Sequence, residues 1–165
     1  MRKSMSPLTL LLAALSLPCL AAGPALADAA AAFTALDSAA TKAAHELEAD
    51  CLKDGMSDGK RKKGWKRSIA MGGGQWAFVV DGSKLACNHA ALCGTGGCTT
   101  QIFSSASGTP KLIFDDQARG WKFVTPARGS PWLKLDMHGG FCGKTGMEVC
   151  NQRLDLENGK IVRVR

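Results

Sequence analysis

The chain contains 165 residues, and its 21 lysines and arginines against 14 aspartates and glutamates give a net charge of +7 at pH 7. A chain of this length buries roughly two-thirds of its surface on folding, which is enough for a hydrophobic core. After the first 27 residues no segment approaches the ~20 apolar residues that a membrane-spanning helix needs, so a transmembrane protein is not expected.

The first 27 residues have the features of a secretory signal peptide. A basic start precedes an apolar stretch over residues 8–17, and Ala25-Leu26-Ala27 matches the small-x-small pattern of a cleavage site. We therefore predict cleavage after Ala27. Residues 28–165 would then form the mature chain, which would be periplasmic or secreted.

Cys19 suggests a second way to process the same segment. In a lipoprotein, a cysteine becomes the lipidated first residue of the mature chain. Pro18 precedes Cys19, where lipid processing needs a small residue, and Ala25-Leu26-Ala27 would have no role. The signal-peptide interpretation therefore fits more of the segment.

The mature chain is expected to begin with a helix over residues 28–52. This segment is rich in alanine and lacks glycine and proline, and its apolar residues recur at helical spacing. The apolar stripe consists of Phe33, Leu36, Ala40, Ala43, Leu47 and Cys51. We expect this stripe to pack against the rest of the protein, and we expect the helix to end near Gly55, because glycine suits a C-cap.

A strongly basic segment, residues 60–67, follows the helix. Its six cations and one tryptophan are Lys60, Arg61, Lys62, Lys63, Trp65, Lys66 and Arg67. Such a cluster is typical of a surface that binds a polyanion. The partner of an exported protein would be an anionic envelope component or an acidic protein, and no nucleic acid is expected. The alternative is a solvated loop between the helix and the first strand.

Beyond the basic segment, bulky apolar residues recur with a period of two, which predicts β-strands. The predicted strands cover residues 76–80, 99–103, 111–114, 121–124 and 132–137, and a hairpin around Asn158 and Gly159 ends the chain. We expect a three-residue hairpin loop that sets Leu154 opposite Val162.

These elements together predict an α+β fold. An N-terminal helix is followed by a mostly antiparallel β-meander of about six or seven short strands, stapled by disulfides. The helix is expected to cover part of one face of the strands. Since no linker divides the sequence, residues 28–165 are predicted to form a single domain.

Six cysteines remain after the predicted cleavage: Cys51, Cys87, Cys93, Cys98, Cys142 and Cys150. An even number in a small exported chain predicts a disulfide framework. Loops with glycines separate Cys93 from Cys98 and Cys142 from Cys150, and such loops can bring each pair within disulfide reach. By elimination, Cys51 is expected to pair with Cys87.

A metal site is the competing interpretation of four of these positions. Cys87, His89, Cys93 and Cys98 have the spacing C-x-H-x3-C-x4-C, which matches none of the common zinc patterns. Export to an oxidising compartment also favours disulfides over thiolates. No metal or other cofactor is therefore expected.

Two glycine-rich motifs resemble a pair found in small exported proteins of proteobacteria. The first is a C-G-x-G-G-C loop over residues 93–98, and the second is an H-G-x-x-C-G-x-x-G loop over residues 138–146, with a later cysteine at Cys150. The resemblance covers residues 76–164. It implies an exported, β-rich and disulfide-bonded protein, and it implies no particular reaction.

These patterns favour an exported binding or interaction protein without catalytic activity, such as an envelope accessory factor or an inhibitor. A rigid scaffold with exposed loops suits such a role, and the chain lacks the H-E-x-x-H motif of zinc proteases. The alternative is a hydrolase or metal-binding protein with a site around His138 and His89, because His138 lies at the end of a predicted strand.

Overall fold

The computed structural model of the protein describes residues 24–57 and 59–163. The basic start, the apolar stretch and Cys19 of the predicted signal peptide lie outside these residues. Among the helices that are described, none has the length and apolar character needed to cross a membrane.

One long helix, α1, spans Pro24–Lys53. Its buried apolar positions are Leu36, Ala40, Ala44 and Cys51, which recur at helical spacing. Leu36, Ala40 and Cys51 were predicted and Ala44 was not, whereas the predicted Phe33, Ala43 and Leu47 are partly buried against the same core. Gly55 follows with a left-handed φ of 68°. The N–H of Met56 donates to the carbonyl of Cys51 at 2.8 Å, so the helix ends with a glycine cap as predicted.

Nine strands follow α1 within the described residues, where six or seven were expected. They are β1 (Lys66–Gly72), β2 (Gln75–Asp81), β3 (Cys93–Gly94), β4 (Gly97–Ser104), β5 (Lys111–Ala118), β6 (Gly120–Val124), β7 (Trp132–His138), β8 (Val149–Asp155) and β9 (Ile161–Arg163). The additions are β1 and the two-residue β3. Two 3-10 turns, Gly82–Lys84 and Gly139–Cys142, and a one-turn helix, α2 (His89–Leu92), connect the strands.

The strands pair antiparallel and form two sheets. In the first sheet the order is β1-β2-β4-β3, with β5 also paired to β4, and in the second it is β6-β7-β8-β9. The chain passes from the first sheet to the second at Arg119, between β5 and β6. The α+β class and the antiparallel pairing are confirmed, and the division into two sheets is new.

The first sheet lies between α1 and the second sheet. Alternate residues of β2 show this, because successive side chains of a strand point to opposite faces. Phe78 and Val80 pack in one core with α1, whereas Ala77 and Val79 pack in a second core with residues of β7 and β8. The helix thus covers one face of the first sheet, and the second sheet covers the other.

The predicted register of the C-terminal hairpin is wrong. Leu154 pairs with Ile161 instead of Val162, and the loop has four residues instead of three. The predicted register would also set Leu156 opposite Lys160, whereas Leu156 is fully buried in the core between the sheets and Lys160 is exposed. The carboxylate of Asp155 also accepts the N–H of Glu157 at 2.8 Å, which shapes the longer loop.

Candidate functional site

The three predicted disulfides are all present. Cys51 pairs with Cys87, Cys93 with Cys98 and Cys142 with Cys150, at Cα–Cα separations of 5.8, 3.9 and 6.0 Å. The first bridge is buried and joins the C-terminal end of α1 to the segment before α2. It therefore attaches the helix to the rest of the chain.

The residues of the alternative zinc site are brought together only in part. Ligand atoms of His89, Cys93 and Cys98 lie within 4.8 Å of one another, and Nε2 of His89 is 3.9 Å from Sγ of Cys98. Cys87 is engaged by Cys51. Because zinc binds the thiolate and not the disulfide, only His89 can act as a ligand in this oxidised cluster.

The basic segment is attached to α1 by an ion pair between Arg61 and Glu48. The guanidinium donates from Nε to Oε1 at 2.7 Å and from Nη2 to Oε2 at 2.6 Å. The exposed fractions of the two side chains are 20% and 12%. Arg61 was predicted to contact a partner, but its charge is neutralised inside the protein.

The Glu48 carboxylate is held in its ionised form by this arrangement. Burial raises the pKa of Glu48, but the hydrogen bonds from Arg61 and from the N–H of Ala86 outweigh it, and the pKa lies below its usual value. The sequence contained a signal for this residue, because Glu48 continues the buried spacing of Ala40 and Ala44 along α1. An acidic residue at such a position requires a partner.

Lys66 makes a second attachment between the basic segment and α1. Its Nζ lies 2.6 Å from Oδ1 of Asp37 and 2.7 Å from Oγ1 of Thr41, one turn apart on the helix. Trp65 is half-buried, and the cationic groups of Arg61 and Lys66 lie 4.3 and 5.0 Å from its ring centroid. These contacts give the segment a fixed conformation on the helix.

The other four predicted partner-binding residues are exposed: Lys60, Lys62, Lys63 and Arg67. The backbone N–H of Lys62 donates to the carbonyl of Lys84 at 2.8 Å, so the segment is also attached to the turn after β2. The guanidinium of Arg67 lies 5.6 Å from the ring centroid of Trp121 in the second sheet. The structure therefore divides the basic segment into anchoring residues and outward-facing cations.

His138, the candidate residue of the alternative site, is part of a turn. Its Nδ1 accepts the N–H of Gly140 at 3.2 Å, which caps the 3-10 turn Gly139–Cys142. Its ring lies against Gly146, where an added Cβ would come within 2.6 Å of Nε2. These contacts assign the imidazole a role in shaping the glycine-rich loop.

Arg119 joins the two glycine-rich motifs, which sequence reasoning did not anticipate. Its Nε and Nη2 donate to the carbonyl of Thr95 at 3.2 and 3.0 Å. Its Nη2 and Nη1 donate to the carbonyls of Gly146 and Met147 at 2.9 and 3.0 Å. Since all three acceptors are backbone atoms, no feature of the loop sequences could reveal this contact.

The segment 55–59 matches the G-x-S-x-G pattern of a nucleophile elbow. That elbow requires a strand before the serine and a helix after it, whereas Ser57 follows α1. Its Oγ donates to the carbonyl of Ala86 at 3.1 Å and accepts the N–H of Gly59 at 3.3 Å. This serine therefore belongs to the connection between the helix and the first sheet.

A polar cleft of about 250 Å³ lies where the basic segment meets the gap between the sheets. Its charged lining residues are Arg67, Asp81, Lys84 and Arg119, and Trp121 forms part of its wall. Two of the cations, Lys84 and Arg119, were not predicted as site residues. They come from the turn after β2 and from the crossover between the sheets, so only the tertiary fold places them beside Arg67.

Comparison of the chain with protein-family models, with curated proteins and with solved structures gives no match. The contacts described above therefore carry the functional argument.

Proposed function

We propose that this chain is an exported, disulfide-bonded binding protein without catalytic activity, whose basic segment contacts an anionic component of the cell envelope. The observation that carries the proposal is the attachment of that segment to α1 through Arg61 and Lys66. Because the backbone is already ordered, the exposed cations can bind without the entropy cost of ordering a flexible loop.

Charge supports an anionic partner. Lys60, Lys63 and Arg67 are exposed within one short segment, and a cluster of cations raises the local concentration of polyanions. Each exposed contact is weak in salt solution, so several cations must act together.

Export is part of the proposal. The first 27 residues have the sequence features of a signal peptide, and the paired motifs resemble those of small exported proteobacterial proteins. Three disulfides within one small chain are compatible with an oxidising compartment.

The alternative function, a hydrolase or metal-binding protein around His138 and His89, has less support. Nδ1 of His138 accepts a hydrogen bond from its own turn, and His89 lies beside sulfur atoms that are already joined. Neither contact supplies a nucleophile or a metal ligand set.

Vesicle binding tests the proposal. We expect the mature protein to sediment with phosphatidylcholine vesicles that contain phosphatidylglycerol and not with pure phosphatidylcholine, and to be released by salt. The double variant Lys60→Glu and Lys63→Glu should lose binding. These two side chains are exposed, and Arg61 is left intact so that the anchor is preserved.

The matched control is the double variant Lys111→Glu and Lys160→Glu, which makes the same charge change at exposed positions of β5 and the C-terminal hairpin. It should retain binding. Equal loss in both double variants would show a response to net charge alone and would contradict a role for the basic segment. Absence of charge-dependent binding by the unmodified protein would contradict the proposal as a whole.

A further inference from the structure

We propose that the cleft lined by Arg67, Lys84 and Arg119 binds a phosphate group. This inference rests on the proposed function, because it names the chemical group that the protein would recognise on its anionic partner. The position of the cleft, its charge and its size point to this group.

The cleft opens at one end of the space between the two sheets. Arg67 comes from β1 and pairs with Val79 of β2, which packs in the core between the sheets. Because paired residues point to the same face of a sheet, the side chain of Arg67 points toward the space between the sheets. Asp81 and Thr100 pair with each other across β2 and β4, and both are buried at the base of the cleft. Trp121 of β6 forms the wall on the side of the second sheet.

The lining of the cleft has an excess of positive charge. Asp81 is its one carboxylate among the described residues, and Nζ of Lys84 lies 3.1 Å from Oδ2 of Asp81. Oδ1 of Asp81 accepts the N–H and the hydroxyl of Ser83 at 3.1 and 2.5 Å. Three cations and one carboxylate leave two positive charges, enough to attract the singly charged phosphodiester of a lipid headgroup and to neutralise a phosphate monoester with a charge of about −1.5 to −2.

Among residues 24–57 and 59–163, no carboxylate forms an ion pair with Arg119. Its guanidinium donates to the carbonyls of Thr95, Gly146 and Met147, which are neutral acceptors. The carboxylate of Asp136, which lies near Gly120, has Nζ of Lys134 at 3.2 Å, although its Oδ1 makes no hydrogen bond. Arg119 thus supplies a fixed positive charge in the lining of the cleft.

Arg67 supplies the group that can form the direct contacts. The planar fork of an arginine binds phosphate oxygens through two parallel hydrogen bonds. Trp121 holds this guanidinium at 5.6 Å from its ring centroid, so the fork stays at the mouth of the cleft.

The size of the cleft limits what it can hold. Its volume of about 250 Å³ lies below the roughly 300–1,000 Å³ of pockets that enclose a drug-sized ligand. The cleft therefore suits one charged group of a larger molecule.

Titration with inorganic phosphate, followed by NMR of the tryptophan indole N–H signals, tests this site. The signal of Trp121 is assigned with the variant Trp121→Phe. We expect a saturable shift of the Trp121 signal, with little change at Trp76 and Trp132.

Two cleft variants test which residues bind the phosphate. In Arg67→Gln and in Lys84→Gln the dissociation constant for phosphate should rise about tenfold or more, since each removes a charge-assisted hydrogen bond. Lys111→Gln, at the opposite end of β5, is the matched control and should leave it unchanged.

Three results would overturn the inference: no saturable shift in the unmodified protein, an unchanged dissociation constant in either cleft variant, or tighter binding of glucuronate than of phosphate. The last result would identify a carboxylate site. Phosphate binding without vesicle binding would refute the proposed function and retain the cleft, whereas vesicle binding without phosphate binding would refute the cleft alone.

Discussion

Arg61 and Glu48 form a two-pronged ion pair, with Nε and Nη2 of the arginine 2.7 and 2.6 Å from the two carboxylate oxygens. The pair connects the basic segment to the far end of α1. The same carboxylate also accepts the N–H of Ala86 at 3.0 Å, just before the cysteine that is bonded to Cys51. Glu48 therefore holds together three segments that are distant in sequence.

Glu48→Gln is expected to destabilise the protein by about 2 kcal/mol, because it leaves Arg61 partly buried without a counter-charge. Urea unfolding of the oxidised protein at neutral pH measures the change. Glu46→Gln is the control, since the Glu46 side chain is 65% exposed and lies 3.7 Å from Lys42. It should change the free energy of unfolding by less than about 0.5 kcal/mol. Equal effects of the two substitutions would show that the ion pair contributes no specific stability.

The contribution of Glu48 should disappear in acid. Because its pKa is lower in the folded than in the unfolded protein, its contribution is fully present above the unfolded value of about 4.3 and is lost as the pH falls through the folded value. The difference in unfolding free energy between the unmodified protein and Glu48→Gln should therefore shrink below pH ~4. A difference that stays constant through the acid range would refute this assignment.

Arg119→Ala should loosen both glycine-rich loops while leaving most of the global stability intact. The carbonyls of Thr95, Gly146 and Met147 would turn to water, so we expect a loss of about 1 kcal/mol. Hydrogen exchange should become faster in peptides that cover residues 93–98 and 139–149. Arg128→Ala, at an exposed position between β6 and β7, is the control and should leave exchange in both loops unchanged. Faster exchange in only one of the loops would show that Arg119 does not join them.

The three disulfides should contribute unequally to stability. In the chain-entropy model the effect grows with the length of the closed loop, which gives about 4 kcal/mol for the bridge between Cys51 and Cys87 and about 2 kcal/mol for that between Cys93 and Cys98. Their sequence separations are 36 and 5 residues. Unfolding of the two double alanine variants measures the difference. A larger loss for the shorter loop would contradict the entropic explanation.

The helix and two of the three disulfides could be predicted because they depend on local spacing, and the bridge between Cys51 and Cys87 followed by elimination. The period of the apolar stripe along α1 is visible in one segment of sequence, and glycines beside Cys93 and Cys142 allow their partners to return within reach. The strand β1 was missed for a physical reason. Lys66 points to α1 and Arg67 to the space between the sheets, so two adjacent charges conceal the alternation that marks a strand.

The sequence of β2 contains a signal for the two-sheet arrangement. Residues 76–80 form an almost continuous apolar run, which is typical of a strand buried on both faces. The sequence could not show which strands cover the second face of β2, since strands from different parts of the chain have similar residue patterns. The cleft was harder still to predict, because Lys84 and Arg119 meet Arg67 only after the sheets are stacked.

The position of the disulfides has a consequence for proteolysis. One bridge joins α1 to the segment before α2, one lies within the first sheet, and one lies within the second half of the chain. A single cut next to Arg119 would consequently release two separate fragments on a non-reducing gel. In solution the same fragments would be held by the core between the sheets, which includes Val79, Ile102 and Leu133. The oxidised protein is thus a natural candidate for fragment complementation, with its halves supplied as separate polypeptides.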